Sequence, residues 1–287
     1  YPERLGGTGM KRRSSKLKRT GTVKTIVLLF ITVVQLFPLY WMFTFSLKSN
    51  REIFGGNIVG LPENWEWANY AKVFEKAHLG RYLFNSTVVT GLTIAFTLIL
   101  SAMATYAIVR LKWKLSKFVY FIFLTGMMLS IHAVLLPLFV NMKPVLDTYW
   151  ALIIPYVAFA MPTAILLMVG TLEALPKELE EAAFIDGANI YRVFWQIIMP
   201  LLKPILSTVA ILTFLSAWNE MMLAIAFVSG EKYKTITVGV NDMVGKYSTK
   251  WGLIGAGLTI ATIPTLFLYV FLSKNIQKSL AMGAVKG

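Results

Sequence analysis

The sequence predicts an all-helical integral membrane protein with six transmembrane helices. Of its 287 residues, 56% are hydrophobic and only 15% are charged, which is more apolar surface than a soluble domain buries. Runs of 23 to 28 residues with at most one charge occur at 25–47, 82–109, 118–142, 148–172, 204–230 and 251–273. Because about 20 apolar residues span a bilayer as a helix, each run is long enough for one span. No run alternates strictly between apolar and polar residues, so transmembrane β-strands are not expected.

The positive charges predict the side of the membrane on which each loop lies. Of the 28 lysines and arginines, 18 lie in the two termini and in the loops 110–117 and 171–203. The other 10 lie in the loops 48–84, 142–149 and 229–250. Since lysine and arginine concentrate on the cytoplasmic side, we expect both termini and the loop 171–203 in the cytoplasm. The net charge of +14 then indicates contact with anionic lipid headgroups, not with nucleic acid.

The same pattern predicts the domain boundaries. Residues 1–24 form a basic cytoplasmic tail, 25–273 a membrane domain with six spans, and 274–287 a second cytoplasmic tail. Residues 1–9 precede the first methionine, Met10, and are interpreted as a cloning remnant without function.

The loop before the fifth run contains a stretch that is too ordered for a simple connection. It reads "PKELEEAAFIDGANIYRVFWQIIMP" and lies in what we call the acidic segment, residues 173–203. Pro176 suits the first position of a helix of about three turns, and Gly187 can take the left-handed conformation that ends it. A second amphipathic stretch runs to Pro200. On physical grounds alone, the segment is also compatible with a connector that rests at the membrane interface with its glutamates solvated.

A family resemblance favours a more specific interpretation. Bacterial ABC importer permeases carry a cytoplasmic signature, E-A-A, three residues, G, nine residues, I, one residue, L-P. The acidic segment resembles it, with the fixed positions filled by Glu181, Ala182, Ala183, Gly187, Ile197 and Pro200. Met199 replaces the leucine, which is a volume-conserving change. The stretches "SAWNEMMLAIAFVS", "SLAMGAVKG" and "GNIVGLPENWEWANYAKVF" are similar to the carbohydrate-importing branch, specifically to the second permease of maltose-type importers.

The resemblance implies a fold, a role and partners. The fold would be the type I ABC importer permease (MetI-like) fold, in the bacterial cytoplasmic membrane. In that family the short helix, here residues 176–187, docks in a cleft on a separate ATPase. The residues that the resemblance assigns to this coupling are Glu178, Glu181, Ala182, Ala183, Asp186, Gly187, Ile197 and Pro200. It assigns a further ATPase contact to the tail residues Lys286 and Gly287. The implied partners are a homologous second permease, two copies of the ATPase, an extracytoplasmic solute-binding protein, and a sugar or oligosaccharide substrate.

The sequence contains no motif for catalysis or for metal binding. The only Gly-Lys pair, Gly245-Lys246, is followed by Tyr247 and does not form the phosphate-binding G-x-x-x-x-G-K-[ST] motif. Cysteine is absent, and no cluster of nucleophile, base or metal ligands is evident. We therefore predict a non-catalytic subunit without a cofactor of its own, with ATP and Mg²⁺ bound by the partner ATPase.

Trp218, Asn219 and Glu220 form a second candidate site, within the fifth run. A carboxylate inside a span costs roughly 2.5–3.5 kcal/mol unless it faces a cavity or a partner. These residues could line or gate a translocation path, or they could bond and pack against neighbouring helices; for Trp218, packing is favoured. Three alternative functions stay open: an ABC importer of another solute such as glycerol phosphate, an ion-coupled secondary carrier that uses Glu220, and a passive channel.

Overall fold

The computed structural model describes residues 9–111, 113–246 and 250–284, and within them the side chains of 24–75, 77–111, 113–244 and 250–270. This part of the chain is helical, without a β-strand. The first seven helices are α1 (Gly9–Ser46), α2 (Asn50–Phe54), α3 (Ala68–Lys76), α4 (Leu79–Val109), α5 (Ser116–Gly126), α6 (Ile131–Met142) and α7 (Trp150–Glu173). The later helices are α8 (Glu178–Ile185), α9 (Ile190–Val193), α10 (Met199–Leu201), α11 (Lys203–Asn219), α12 (Met222–Phe227), α13 (Ile236–Lys246) and α14 (Trp251–Ala284). A 3-10 turn, Lys143–Val145, follows α6, and a π-helical stretch, Phe194–Ile198, joins α9 to α10.

Within the described residues, four helices are long and apolar enough to span a membrane. They are Lys24–Ser46, Leu79–Val109, Trp150–Glu173 and Trp251–Val270. Two bent pairs pass the same test when each counts as one span: Ser116–Gly126 with Ile131–Val145, bent by 107°, and Ile190–Leu201 with Lys203–Asn219, bent by 74°. The described chain therefore has four to six candidate spans, and the predicted all-helical membrane class is confirmed.

The apolar run 204–230 does not form one continuous helix. Helix α11 ends at Asn219, and Glu220 takes an extended conformation (φ −69°, ψ 128°) before α12 begins. The carboxylate of Glu220 accepts hydrogen bonds from the backbone N–H groups of Leu223 (2.9 Å) and Ala224 (3.1 Å). A helix start leaves such N–H groups without a backbone partner, and a nearby carboxylate satisfies them. The acid that interrupts the apolar run thus binds the free N–H groups at the start of a new helix.

The described chain forms two compact units, of which the first contains α1, α2 and the first turns of α14. Lys48, which follows α1, is fully buried, and its ammonium group donates to the carbonyl oxygen of Asn57 (2.7 Å). The side chain of Asn69 donates to the carbonyl oxygens of Ser46 (2.9 Å) and Lys48 (3.3 Å). The backbone of Lys48 lies so close to Gly252 that a Cβ there would come within 2.2 Å of the Lys48 carbonyl oxygen. These contacts order the loop after the first span.

The second unit is built on α4, α7 and α11, which pack along one another. One apolar cluster joins α4, α7 and α12, and includes Val89, Leu152, Tyr156, Leu223 and Phe227. The other cluster joins α4 and α7 to the acidic segment, and includes Tyr106, Met168, Leu172, Phe194 and Ile198. The predicted domain boundaries at residues 24 and 274 fall inside α1 and α14. The helices run through both positions without a break, so the boundaries stay predictions.

Candidate functional site

The first helix of the acidic segment, α8, is shorter than predicted. It begins at Glu178, and the carbonyl oxygen of Lys177 accepts from the N–H groups of Glu180 (2.9 Å) and Glu181 (3.1 Å). Pro176 is therefore not the first helical residue. Leu175 still closes the end of α7 through a hydrogen bond to the Leu172 carbonyl oxygen (3.2 Å), so Pro176 connects the two helices.

Gly187 ends α8 in the predicted left-handed conformation, with φ 80°. Its N–H donates to the carbonyl oxygen of Phe184 (3.1 Å), and the N–H of Ala188 donates to that of Ala183 (2.9 Å). This pair of hydrogen bonds is the Schellman motif, which satisfies the last carbonyl groups of a helix and turns the chain sharply. The prediction for Gly187 is confirmed, and the turn sets the direction of the next helix.

The second helix of the segment starts at a polar N-cap residue and changes to a π-helical hydrogen-bonding pattern near its end. The side-chain oxygen of Asn189 accepts from the N–H of Arg192 (2.9 Å), which caps α9. Pro200 has no N–H to continue the α-helical pattern, and the N–H of Met199 bonds to Phe194, five residues back. Ile197 is half-buried against the cluster around Tyr106, and Pro200 is exposed. The predicted amphipathic stretch up to Pro200 is confirmed.

The predicted coupling residues separate into an open face and a packed face. The exposed ones are Glu178, Glu181, Ala182, Asp186 and Gly187. Ala183 is half-buried against the same apolar cluster as Ile197. The open face also carries Ile185, whose side chain is 86% exposed and which lies one helical turn after Glu181. Sequence motifs alone do not single out Ile185, although its spacing from Glu181 and Ala182 on a helix does.

Glu180 is buried. The alternative interpretation, a connector at the membrane interface, assumed that the glutamates of the acidic segment are solvated. The Oε1 atom of Glu180 lies 2.6 Å from Nε of Arg110, with both side chains less than a tenth exposed. The Nε–H bond is not aimed at this oxygen, so the contact is an ion pair and not an aligned hydrogen bond. The hydroxyl of Tyr106 donates to the other oxygen of Glu180 (3.2 Å). Glu180 therefore anchors α8 to the end of α4.

Arg110 also holds the end of α7. Its Nη2 donates to the carbonyl oxygens of Leu172 (3.0 Å) and Leu175 (2.9 Å), where the free carbonyl groups of a helix end favour a cation. One guanidinium thus joins three helices: α4, which it follows, the end of α7, and the start of α8. In the sequence Arg110 is only one of several positive loop residues, and nothing local reveals its partner.

Glu220, Asn219 and Trp218 are bonded to neighbouring groups of the chain. The hydroxyl of Tyr156 donates to Glu220 Oε2 (2.6 Å), in addition to the two backbone N–H groups of α12. Asn219 donates to the carbonyl oxygen of Leu215 (2.8 Å). Trp218 is buried, stacks on Phe214 with the ring centroids 5.3 Å apart, and donates from Nε1 to the Ala261 carbonyl oxygen (3.1 Å). The packing interpretation of Trp218 is confirmed.

Glu220 also reaches a cavity of about 170 Å³ among α4, α6, α7 and α11. Apolar side chains form much of its wall, and the oxygen-bearing side chains that line it are Thr93, Tyr156, Thr163, Thr213, Ser216 and Glu220. The Thr93 hydroxyl is buried and has no hydrogen-bond partner in the described chain. The Glu220 carboxylate accepts three hydrogen bonds from within the chain, and a role of Glu220 in a translocation path stays a prediction. Lys286 and Gly287, the predicted tail contacts, lie outside the described residues.

The comparison with known families decides the assignment of the chain. Residues 94–282 match the family described as "Binding-protein-dependent transport system inner membrane component". This chain belongs to that family. The family consists of transmembrane permease subunits of ABC transporters, so the predicted non-catalytic role is confirmed.

Individual relatives of the same kind align with nearly the whole of this chain. The chain is 36% identical over 270 residues to the probable ABC transporter permease protein YurM of Bacillus subtilis, and the alignment covers 93% of this chain and 89% of that protein. It is 32% identical over 282 residues to the trehalose/maltose transport system permease protein MalG of Thermococcus litoralis, covering 96% and 99%. A chain of a bacterial ABC transporter involved in the import of the acidic polysaccharide alginate has the same fold, with a TM-score of 0.78, 24% identity, and coverage of 96% and 99%. The predicted ABC importer permease fold is confirmed.

Proposed function

We propose that this permease imports a sugar or oligosaccharide and is driven by a cytoplasmic ATPase that docks on the open face of α8. The observation that carries the proposal is the acidic segment, where the family signature coincides with a capped helix that is anchored on one side and open on the other. A rigid, exposed helix suits the docking of a mobile partner. The substrate class is supported by the Thermococcus litoralis relative, a trehalose/maltose permease, and by the alginate importer with the same fold.

The complex would contain a homologous second permease, two copies of the ATPase and an extracytoplasmic solute-binding protein. The two permeases would enclose an alternating-access path, of which this chain forms half. Both termini and the acidic segment would face the cytoplasm, as the position of 18 of the 28 lysines and arginines supports. Closure of the ATPase pair on ATP would pull on α8 and rock the spans, which requires that the ATPase hold this helix differently in its two states.

Purification in mild detergent from native membranes tests this proposal directly. We expect an ATP-hydrolysing subunit and a second permease to purify with the chain, and the reconstituted complex to take up sugar only with ATP and the binding protein. A sugar phosphate such as glycerol phosphate, offered to the same preparation, identifies the solute class. A chain that purifies alone and transports in liposomes without ATP would disprove the coupling role of α8.

Substitution of Glu220 tests the secondary-carrier alternative. We expect Glu220→Gln to retain ATP-driven uptake, because Gln keeps one acceptor for the start of α12, and to cost about 1 kcal/mol of stability. Uptake by reconstituted complexes is measured with ATP alone, with a proton gradient and with a sodium gradient. An ion gradient that drives uptake in the parent, and fails to do so in Glu220→Gln, would favour the carrier.

A further inference from the structure

Helix α4 is a continuous element that reaches from the acidic segment to the opposite end of the second unit. It contains 31 residues and no proline, which corresponds to a length of about 46 Å at 1.5 Å per residue. It packs along α7 and α11, so it is supported over its length. The side chains at its two ends make specific polar contacts with other parts of the chain.

The end of α4 near Arg110 holds both helices of the acidic segment. Arg110 and Tyr106 lie four residues apart, on the same face of the helix, and both contact the buried carboxylate of Glu180. The ring of Tyr106 also packs against Phe194, with centroids 5.5 Å apart. A displacement of α8 therefore acts on α4 through a buried ion pair and a hydrogen bond. A displacement of the stretch that follows α9 acts on α4 through the aromatic contact.

The opposite end of α4 holds the segment 231–236, which leads into the first residue of α13. The Asn85 side chain, 1% exposed, donates to the carbonyl oxygens of Lys232 (3.0 Å) and Lys234 (2.9 Å). Ser86 Oγ accepts from the N–H of Ile236 (2.8 Å), and the Tyr82 hydroxyl donates to Glu231. Three of these four bonds reach the backbone of the segment, so its path follows the position of α4.

We propose that α4 is a rigid link that moves the segment 231–236 in step with the acidic segment. Arg110 and Asn85 are its positioning residues, one at each end. The inference rests on the proposed function, because an ATPase on α8 supplies the displacement. Removing one member of a buried ion pair leaves the other charge uncompensated, so the connection at Arg110 depends on both partners. Coupling of this kind requires a demonstration that both ends respond together.

The absence of cysteine makes the test specific. We would introduce Lys232→Cys, whose backbone and not its side chain takes part in the link, and assemble the complete transporter in vesicles. A membrane-impermeant maleimide is added on the side opposite the acidic segment, with and without ATP. In the parent we expect ATP to change the labelling rate. With Arg110→Gln or Glu180→Gln, the ratio of the two rates should fall to about one, while the ATPase remains bound.

Matched variants separate transmission from folding. Arg192→Gln removes an exposed guanidinium of the same segment, whose one hydrogen bond within the described residues goes to the side chain of Gln196 (2.9 Å). This variant should keep the parental ratio. Asn85→Leu removes the donors to Lys232 and Lys234 without placing a charge at this buried position. It leaves Glu180 and Arg110 intact and should also bring the ratio to about one. If Arg110→Gln fails to assemble, Asn85→Leu and Arg110→Lys, which keeps the charge, still test the link. An ATP-dependent ratio that survives Asn85→Leu would overturn the link and leave the proposed function standing. Failure of the parent to bind an ATPase would instead contradict the proposed function.

Discussion

Glu181→Lys is expected to abolish ATP-driven uptake while the chain still inserts and folds. Glu181 is exposed in the first turn of α8 and makes no ion pair with the described part of the chain, so its replacement disturbs little within the permease. A basic docking cleft would meet a like charge, which costs about 3 kcal/mol, or roughly a hundredfold in affinity. The measurement is uptake by reconstituted complexes, together with the amount of ATPase retained after purification.

Glu173→Lys is the matched control for this charge reversal. Glu173 is also an exposed glutamate, at the end of α7 and outside the open face of α8. It should therefore keep both uptake and ATPase binding. Parental uptake in both variants would show that no partner contacts the charge of Glu181. It would contradict the assignment of the open face to docking.

Gly187→Val should likewise abolish uptake, through the backbone instead of the surface. Gly187 has φ 80°, a conformation that costs a β-branched residue about 1–3 kcal/mol. A Cβ at this position meets no heavy atom within 4 Å, so the effect comes from strain and not from a clash. The chain is expected to relieve the strain by abandoning the turn, which changes the direction of α8 relative to α9. Uptake and membrane insertion are measured side by side.

Two substitutions separate backbone strain from added volume. Gly170→Val, in α7, also places its Cβ in open space, but without a positive φ, and should leave uptake near the parental level. Gly187→Asn should fall between the parent and Gly187→Val, because asparagine visits the left-handed region more readily than other residues with a side chain. If Gly187→Val transported as well as Gly170→Val, the geometry of the turn would have no part in coupling.

The features that the sequence predicted correctly depend on neighbours along the chain. The apolar runs indicate helices because their length and composition suffice, and Gly187 ends α8 because a left-handed turn favours glycine. The failures are local as well. Pro176 lies outside α8 because residues up to Leu175 still close α7, and the apolar run 204–230 breaks because Glu220 caps α12. Hydropathy reports that a stretch is apolar, but not where its hydrogen-bonding pattern restarts.

The sequence by itself determined the helical membrane class, the acidic segment and the family signature, because run length, spacing and residue type are all local properties. Only the tertiary structure decided which of the neighbouring acids is open and which is buried. Glu180 and Glu181 are adjacent in the chain, yet Glu181 is exposed while Glu180 meets Tyr106, 74 positions away, and Arg110. A buried carboxylate is stable only where a cation and donors compensate the loss of water. That compensation arises when distant helices pack, and it makes the end of α4 the anchor of the acidic segment.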